Sequence, residues 1–423
     1  MFSNIQFKIT FVFLLKWIIL VTPISIVVGS LVALFLYLLD SATHLRWANE
    51  WIFFLLPLSG IFIVWIYKKY GKTSEKGNNL IIEEIESPKA GIPIIMAPLV
   101  LITSVLTHLF GGSAGREGTA VQIGGSLAHF FGKIYKISKA DANILLLSGI
   151  AAGFGAIFGT PIAGAVFAIE VVAIGALSFR AIYPCLVAAI IADVSCTLWG
   201  IKHTKYIINY TSVTDSSGFH IDYTIVLWVL FAGVLFGLSS FLFSNLTRFL
   251  KVIANKYITR WYLIPFFGGL AIIALTYLLG TKDYLGIGVY TETGLGNSII
   301  NTFTNQNIDT FSWLWKIIFT AITLSVGFKG GEVTPLFFIG ACLGNVIAQY
   351  TGMPTDLFAA LGFVAVFGAA SNTPLACMIM GVELFGGEHI VYLAIACFVA
   401  YLFSGNKGIY TSQKILFSKP GNK

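Results

Sequence analysis

Two glutamates in this chain sit in glycine-flanked segments of the kind that can hold an anion. Gly115-Arg116-Glu117-Gly118-Thr119 is followed by Gly125, eight residues after its glutamate. Gly331-Glu332-Val333-Thr334-Pro335 is followed by Gly340, again eight residues on, and the two segments lie far apart in the chain. A second pair keeps the same order. Thr160-Pro161 precedes Glu170 and Thr373-Pro374 precedes Glu383, each glutamate nine residues after its proline. The chain therefore reads as two related halves. In an apolar protein, paired glycine-interrupted segments point to a transport site built from broken helices.

Glycine lets the backbone approach a ligand closely and present its N–H groups. A helix that begins at Glu117 turns its positive end toward the segment, which suits an anion. A carboxylate at that place competes with the anion for the same donors, and protonation removes the competition. One glutamate can thus serve as gate and as proton carrier, and an ionisable group at membrane depth is a functional candidate by default. The second segment follows the same logic. Gly330, Gly331 and Pro335 mark a helix start, with proline in the first turn where its missing N–H costs little. Val333 and Thr334 offer backbone N–H groups, and Thr334 adds a hydroxyl that can donate and accept. Lys329 reads as a snorkelling surface residue. For Glu170 and Glu383 a helix-packing role is favoured over proton transfer.

The elements that must carry these segments are membrane helices. The chain has 423 residues, 57% hydrophobic and 11% charged, too apolar for a soluble domain. Apolar runs fall at residues 11–39, 51–67, 92–110, 144–174, 181–198, 225–246, 262–279, 311–326, 336–350, 357–370 and 389–403. Several reach the roughly 20 residues that span a bilayer. Shorter pieces between them imply helices that stop partway, which is tolerated only where protein or a watery cavity surrounds the break. Ser138-Lys139-Ala140-Asp141 reads as a helix start. The polar stretches 200–222 and 281–307 read as loops outside the membrane. The N-terminal segment 1–20 reads as an uncleaved helix rather than a signal peptide.

The net charge of +7 is scattered and forms no stripe for nucleic acid. Lysines at 8, 16, 68, 69, 72 and 76, and at 407, 414, 419 and 423, mark ends expected on the cytoplasmic side, although Lys251, Lys256 and Arg260 compete with that assignment. The five cysteines lie in apolar runs without a CxxC pair and read as packing residues. Two glycosylation sequons, at Asn209 and Asn245, carry no weight. His44, His203, His220 and His389 fall at loops or interfaces, His108 and His129 flank the first segment, and none has metal-ligand spacing. Asp193 has no visible partner. The glycine-rich stretch 111–125 lacks the strand–helix context of a nucleotide loop. Gly111-Gly-Ser113-Ala-Gly115 fits a serine-nucleophile pattern, but needs a strand-to-helix elbow or a histidine partner. An intramembrane serine protease is therefore the disfavoured reading from another class.

In order and spacing, Gly115-Arg-Glu-Gly-Thr, Thr160-Pro-Ile-Ala-Gly, Gly331-Glu-Val-Thr-Pro and Gly408-Ile-Tyr410 resemble the CLC family of anion channels and proton-coupled antiporters. The resemblance runs from about Gly77 to Tyr410. It implies an all-α polytopic membrane protein of two inverted repeats with broken or re-entrant helices, assembled as a homodimer with a pore in each subunit. In detail the chain is similar to the fluoride-specific branch. Where chloride members carry Gly-Ser-Gly-Ile-Pro, this chain has Gly77-Asn78-Asn79-Leu80, so Asn78 replaces the chloride-coordinating serine. Val171 stands where chloride antiporters have an inner proton glutamate.

The resemblance implies fluoride export in exchange for protons across the cytoplasmic membrane. Glu117 would be the gating glutamate, and Asn78 and Tyr410 would flank the central anion site. Backbone N–H groups around Gly115, Arg116, Gly118, Val333 and Thr334 would hold the ion, and Glu332 and Thr334 would relay protons and fluoride. The branch is thought to use phenylalanine ring edges, whose partial positive charge suits an anion, but the 36 phenylalanines leave open which ones. A chloride/proton antiporter and a passive anion channel are the alternatives within the family. The expected partners are fluoride, protons, the lipid bilayer and a second subunit, with no nucleic acid and no cofactor. The expected units are residues 1–200 and 223–410 as repeat halves, 201–222 as the connecting loop, and 411–423 as a short unfolded tail without a regulatory domain.

Overall fold

The computed structural model describes residues 4–89, 91–211, 221–304 and 308–420. His220, Lys423 and parts of both polar stretches lie outside them. The first part of the chain forms α1 (Asn4–Ala48), a 3-10 turn (Glu50–Leu55), α2 (Leu56–Tyr70), a second 3-10 turn (Lys72–Lys76), α3 (Asn78–Glu86), α4 (Met96–Leu109), α5 (Glu117–Tyr135), α6 (Lys139–Phe158), α7 (Pro161–Glu170), β1 (Ala173–Ile174) and α8 (Ile182–Leu198). The second part forms α9 (Tyr223–Tyr257), α10 (Leu263–Leu279), α11 (Ile299–Thr304), α12 (Ser312–Ser325), α13 (Val333–Thr351), α14 (Thr355–Ser371), α15 (Pro374–Phe385), α16 (Ile390–Phe403) and β2 (Lys414–Ile415). The fold is all-α but for this one two-residue strand pair.

Among the described residues six helices are long and apolar enough to cross a bilayer, and seven apolar helices are shorter. At 1.5 Å per residue a ten-residue helix such as α7 reaches only about 15 Å, roughly half the hydrocarbon thickness. The series α4–α5–α6–α7 is matched by α12–α13–α14–α15, with lengths 14, 19, 20, 10 and 14, 19, 17, 12 residues. The helices break for a local reason. The apolar run 144–174 is not one helix: α6 ends at Gly159 in the left-handed region (φ 71°), and Thr160-Pro161 starts α7 with proline in its first turn. In the second series Asn372 (φ 58°) ends α14 and Thr373-Pro374 starts α15. A left-handed cap followed by proline ends one helix and opens the next. As expected, Ser138 caps α6, accepting from the Asp141 N–H at 3.2 Å.

Small residues let the helices cross at backbone distance. A methyl group on Gly124 would run into the Gly149 carbonyl, and one on Gly340 into the Gly362 carbonyl. Close approach through small residues is the usual substitute for hydrophobic drive inside lipid. The two series also cap each other. Glu383 at the end of α15 accepts from the Ile162 and Ala163 N–H groups at the start of α7, at 2.9 and 2.7 Å. Glu170 at the end of α7 accepts from Leu375 and Ala376 at the start of α15, at 3.1 and 2.8 Å. The matched glutamates thus have the packing role, each satisfying the helix start of the other series.

Two expectations change. Lys251, Lys256 and Arg260 do not compete with the other basic clusters, because their segment lies on the same face. Arg248 donates to the Lys407 carbonyl at 3.2 Å, and Lys68 Nζ lies 4.8 Å from the Trp261 ring. The described part of the tail, residues 411–420, is folded. β2 pairs in parallel with β1, and the buried Gln413 amide donates to the Val171 and Ser371 carbonyls at 2.8 and 2.7 Å. It thereby ties both series together.

Hydrogen bonds to a charged acceptor contribute about 1.5–3 kcal/mol each. Glu383→Ala is expected to lower the thermal unfolding midpoint in detergent clearly, and Glu383→Gln, which keeps one acceptor, to lower it less. An unchanged midpoint in the alanine variant would remove the reciprocal capping from the account of stability.

Candidate functional site

α5 and α13 begin face to face. The Gly115 N–H donates to the Gly331 carbonyl at 2.6 Å, and the Gly331 N–H donates back to the Gly115 carbonyl at 2.7 Å. This is an isolated antiparallel bridge between segments from opposite parts of the chain. Glycine is required here by close approach: a methyl group on Gly331 would meet the Gly118 nitrogen at 2.7 Å. The bridge holds two positive helix ends against each other, an arrangement that calls for negative charge between them.

The Glu117 carboxylate fills that place. Its Oε2 accepts from the Arg116 N–H at 3.0 Å and from the Thr334 N–H at 3.1 Å. Its Oε1 accepts the Thr334 hydroxyl and lies 3.7 Å from Arg116 Nε. The side chain is 1% exposed. Donors from both series therefore converge on one carboxylate, which stands where an anion would be bound.

The bridge also corrects the register read from the motifs. Gly115 pairs with Gly331, so Arg116 corresponds to Glu332 and Glu117 to Val333. Arg116 and Glu332 are the N-caps of α5 and α13. Counted from the helix starts, Gly340 then matches Gly124, and these two make the tight crossings; Gly125 packs on Ile81 instead. The two glutamates are therefore not equivalents.

The N-caps face different cavities. Glu332 lines an inner cavity of about 160 Å³ together with Asn78, Gln122, Lys329, Tyr67 and Tyr410. Arg116 lines an outer cavity of about 300 Å³ with Asp40, Lys202, His203 and Tyr290. Asn78 opens α3, and its buried Oδ1 has no hydrogen-bond partner. Its Nδ2 lies 3.1 Å from where a side chain on Gly118 would begin. Tyr410 is buried and is held by the Ile409 N–H, which donates to the Ala370 carbonyl at 2.8 Å. The structure thus gathers Gly115, Arg116, Glu117, Gly118, Val333 and Thr334 at the two facing helix starts, and Asn78, Glu332 and Tyr410 around one adjoining cavity.

Sequence reasoning left the phenylalanines open and overlooked Gln122. Phe167 presents its ring to Tyr410 at 6.4 Å and stacks on Phe154 at 4.4 Å; Phe367 lies against both. Phe337 stacks on Phe363 at 3.9 Å and meets Phe367 edge-on. The rings come from α6, α7, α13 and α14, so no sequence spacing announces them. Lys329 is not at the surface; its Nζ sits 4.2 Å from the Tyr67 ring. Asp193 does have a neighbour, His203 Nε2 at 3.5 Å. The Ser113 hydroxyl pairs with the Thr320 hydroxyl at 2.9 Å, both buried, which leaves no nucleophile–histidine arrangement there.

Helices broken at membrane depth around a central anion cradle define a membrane anion transporter. The family model of voltage gated chloride channels matches residues 59–405. The chain belongs to that family. A relative from Pseudomonas syringae pv. tomato, named a chloride/fluoride channel protein, is 44% identical over 96% of this chain and 88% of its own. The crystal structure of a CLC-type fluoride/proton antiporter aligns with a TM-score of 0.87 at 34% identity, over 98% of this chain and 100% of the other. That of a slow cyanobacterial Cl⁻/H⁺ antiporter aligns with a TM-score of 0.77 at 19% identity, over 94% and 96% of the two chains, and shows a shared fold.

Removing the Thr334 hydroxyl while keeping its shape tests the cradle. One charge-assisted hydrogen bond corresponds to about 10- to 100-fold, so Thr334→Val is expected to slow anion transport by that order in reconstituted vesicles. Thr334→Ser should stay near wild type. Equal rates in all three proteins would exclude the hydroxyl from the transport cycle.

Proposed function

We propose that this chain exchanges fluoride for protons across the cytoplasmic membrane, as a secondary transporter with Glu117 as gate and proton carrier. The observation that carries the reading is the Glu117 carboxylate bound by the donors of both facing helix starts. The family membership and the 34% identical fluoride/proton antiporter support the choice of ions.

The cycle follows from competition for one set of donors. Ionised Glu117 occupies them and closes the path. Protonated Glu117 loses its charge, leaves, and frees the Arg116 and Thr334 N–H groups for an anion. Fluoride holds water tightly, so a dry site must return short, well-aimed donors. The Arg116–Gly118 and Val333–Thr334 backbone, the Thr334 hydroxyl and the Asn78 amide are such donors, with Tyr410 beside them, whereas the N–H of Gly115, expected from the sequence to join them, is taken by the Gly331 carbonyl. Glu332, facing the inner cavity, hands protons to and from the bulk, and Thr334 stands between it and Glu117. Ring edges of Phe167 and Phe337 complete the wall. The repeat halves are residues 1–200 and 223–410. Basic residues gathered on one face orient that face to the cytoplasm. The family resemblance supports a homodimer with one path per subunit.

The test is a fluoride gradient across vesicles holding purified protein, read by pH and fluoride electrodes together. Uphill proton movement driven by fluoride is expected, feeble with chloride and lost in Glu117→Gln. Fluoride flux without protons would make the protein a channel. Chloride flux as fast as fluoride flux would place it with the chloride antiporters.

A further inference from the structure

Lys329 is a partly buried cation at the inner cavity, with Glu75 facing the same space but outside ion-pair distance. It lies two residues before Gly331, between α12 and α13, and is only partly exposed. Its Nζ rests over the Tyr67 ring of α2 at 4.2 Å. Among the described residues no carboxylate comes within ion-pair distance of it, whereas Lys16, Lys76 and Lys282 each hold one at 2.6–2.8 Å. The exposed space at Lys329 is the inner cavity, which Asn78, Glu332 and Tyr410 also line. Charged groups facing that cavity from other elements are Glu75 and Lys76 of the 3-10 turn, and Lys76 is already paired with Glu83. The ring under the ammonium anchors the cation without neutralising it.

A half-buried cation is retained where something supplies opposite charge. We infer that Lys329 is the inner capture residue for the transported anion. The ion itself serves as the close counter-ion that Glu75, across the same cavity, does not supply within ion-pair distance, and pauses beside the ammonium before moving to the Asn78 amide and the donors under Glu117. The inference rests on the anion-transport reading of the same site. It assigns Lys329 a place in affinity and in the rate of entry rather than in proton coupling, which stays with Glu117 and Glu332. A cation in a narrow low-dielectric mouth raises local anion concentration by focusing the field.

The test compares wild type with Lys329→Met, which keeps length and removes charge, and Lys329→Arg. The readouts are KM and maximal rate for fluoride entering from the inner face, together with the fluoride-to-proton ratio. Lys329→Met is expected to raise KM about tenfold, within the range that such focusing produces, with maximal rate and ratio near wild type. Lys329→Arg should stay close to wild type. Lys329→Cys separates charge from packing: 2-aminoethyl methanethiosulfonate, which restores an ammonium, should restore KM, and the sulfonatoethyl reagent should raise it further. The five native cysteines are buried, which favours reaction at the new site. An unchanged KM in Lys329→Met, or a KM indifferent to the sign of the added charge, would overturn the assignment. So would a changed proton ratio at constant KM, which would make Lys329 a partner of Glu332. If the wild type carries chloride instead of fluoride and Lys329→Met still raises the chloride KM, the capture role stands and the fluoride reading falls.

Discussion

The reciprocal hydrogen bonds between Gly115 and Gly331 place two helix starts nose to nose inside an apolar protein, and much of the architecture serves that contact. Like ends of two dipoles repel, and each helix start leaves N–H groups without partners. Both costs fall when a negative charge sits between them. In the closed arrangement Glu117 supplies that charge from within the chain. The same geometry makes the position receptive to an outside anion once the carboxylate is neutral. Stability of the closed state and readiness to bind are therefore consequences of one constraint.

Holding two helix starts at mid-membrane requires helices that stop there. The breaks at Gly159-Thr160-Pro161 and Asn372-Thr373-Pro374 make further helix starts that also need satisfying. The chain solves this with Glu170 and Glu383, each reaching across to the other series. Because the caps are exchanged rather than local, neither series completes its own polar groups alone. Gln413 adds a third tie, taking one carbonyl from each side. These bonds fix the frame on which Tyr410 and the phenylalanine rings are carried.

Much of this was legible because glycine, asparagine and proline signal backbone breaks locally. The paired motifs, the Ser138 cap and the membrane class all follow from short stretches of residues, whereas the break at Pro161 was read through as one apolar run. The register of the repeat was misread because Gly124 and Gly125 are adjacent. Either satisfies a spacing rule, and only the helix start shows which of them meets α6. The glutamate caps, the Asp193–His203 neighbourhood and the phenylalanine cluster were hidden, because each joins residues far apart in the chain or on separate helices. Lys329 looked like a surface lysine because a charge beside glycines at the end of an apolar run usually is one. Its burial depends on Tyr67, far upstream on α2, whose ring gives the ammonium a seat.

Under the two-fold relation of the bridge, Arg116 and Glu332 are counterparts, yet one is a permanent cation and the other a carboxylate. The outer cavity thus places the Arg116 guanidinium among Asp40, Lys202 and His203, with the Glu117 carboxylate behind it. The inner cavity carries a group whose charge depends on a proton, opposed by the unpaired cation of Lys329. A symmetric pair of arginines would favour anions from both sides and give protons no inner foothold. Two glutamates would repel the anion from both mouths. That difference in charge at equivalent positions gives a two-fold scaffold two chemically distinct sides.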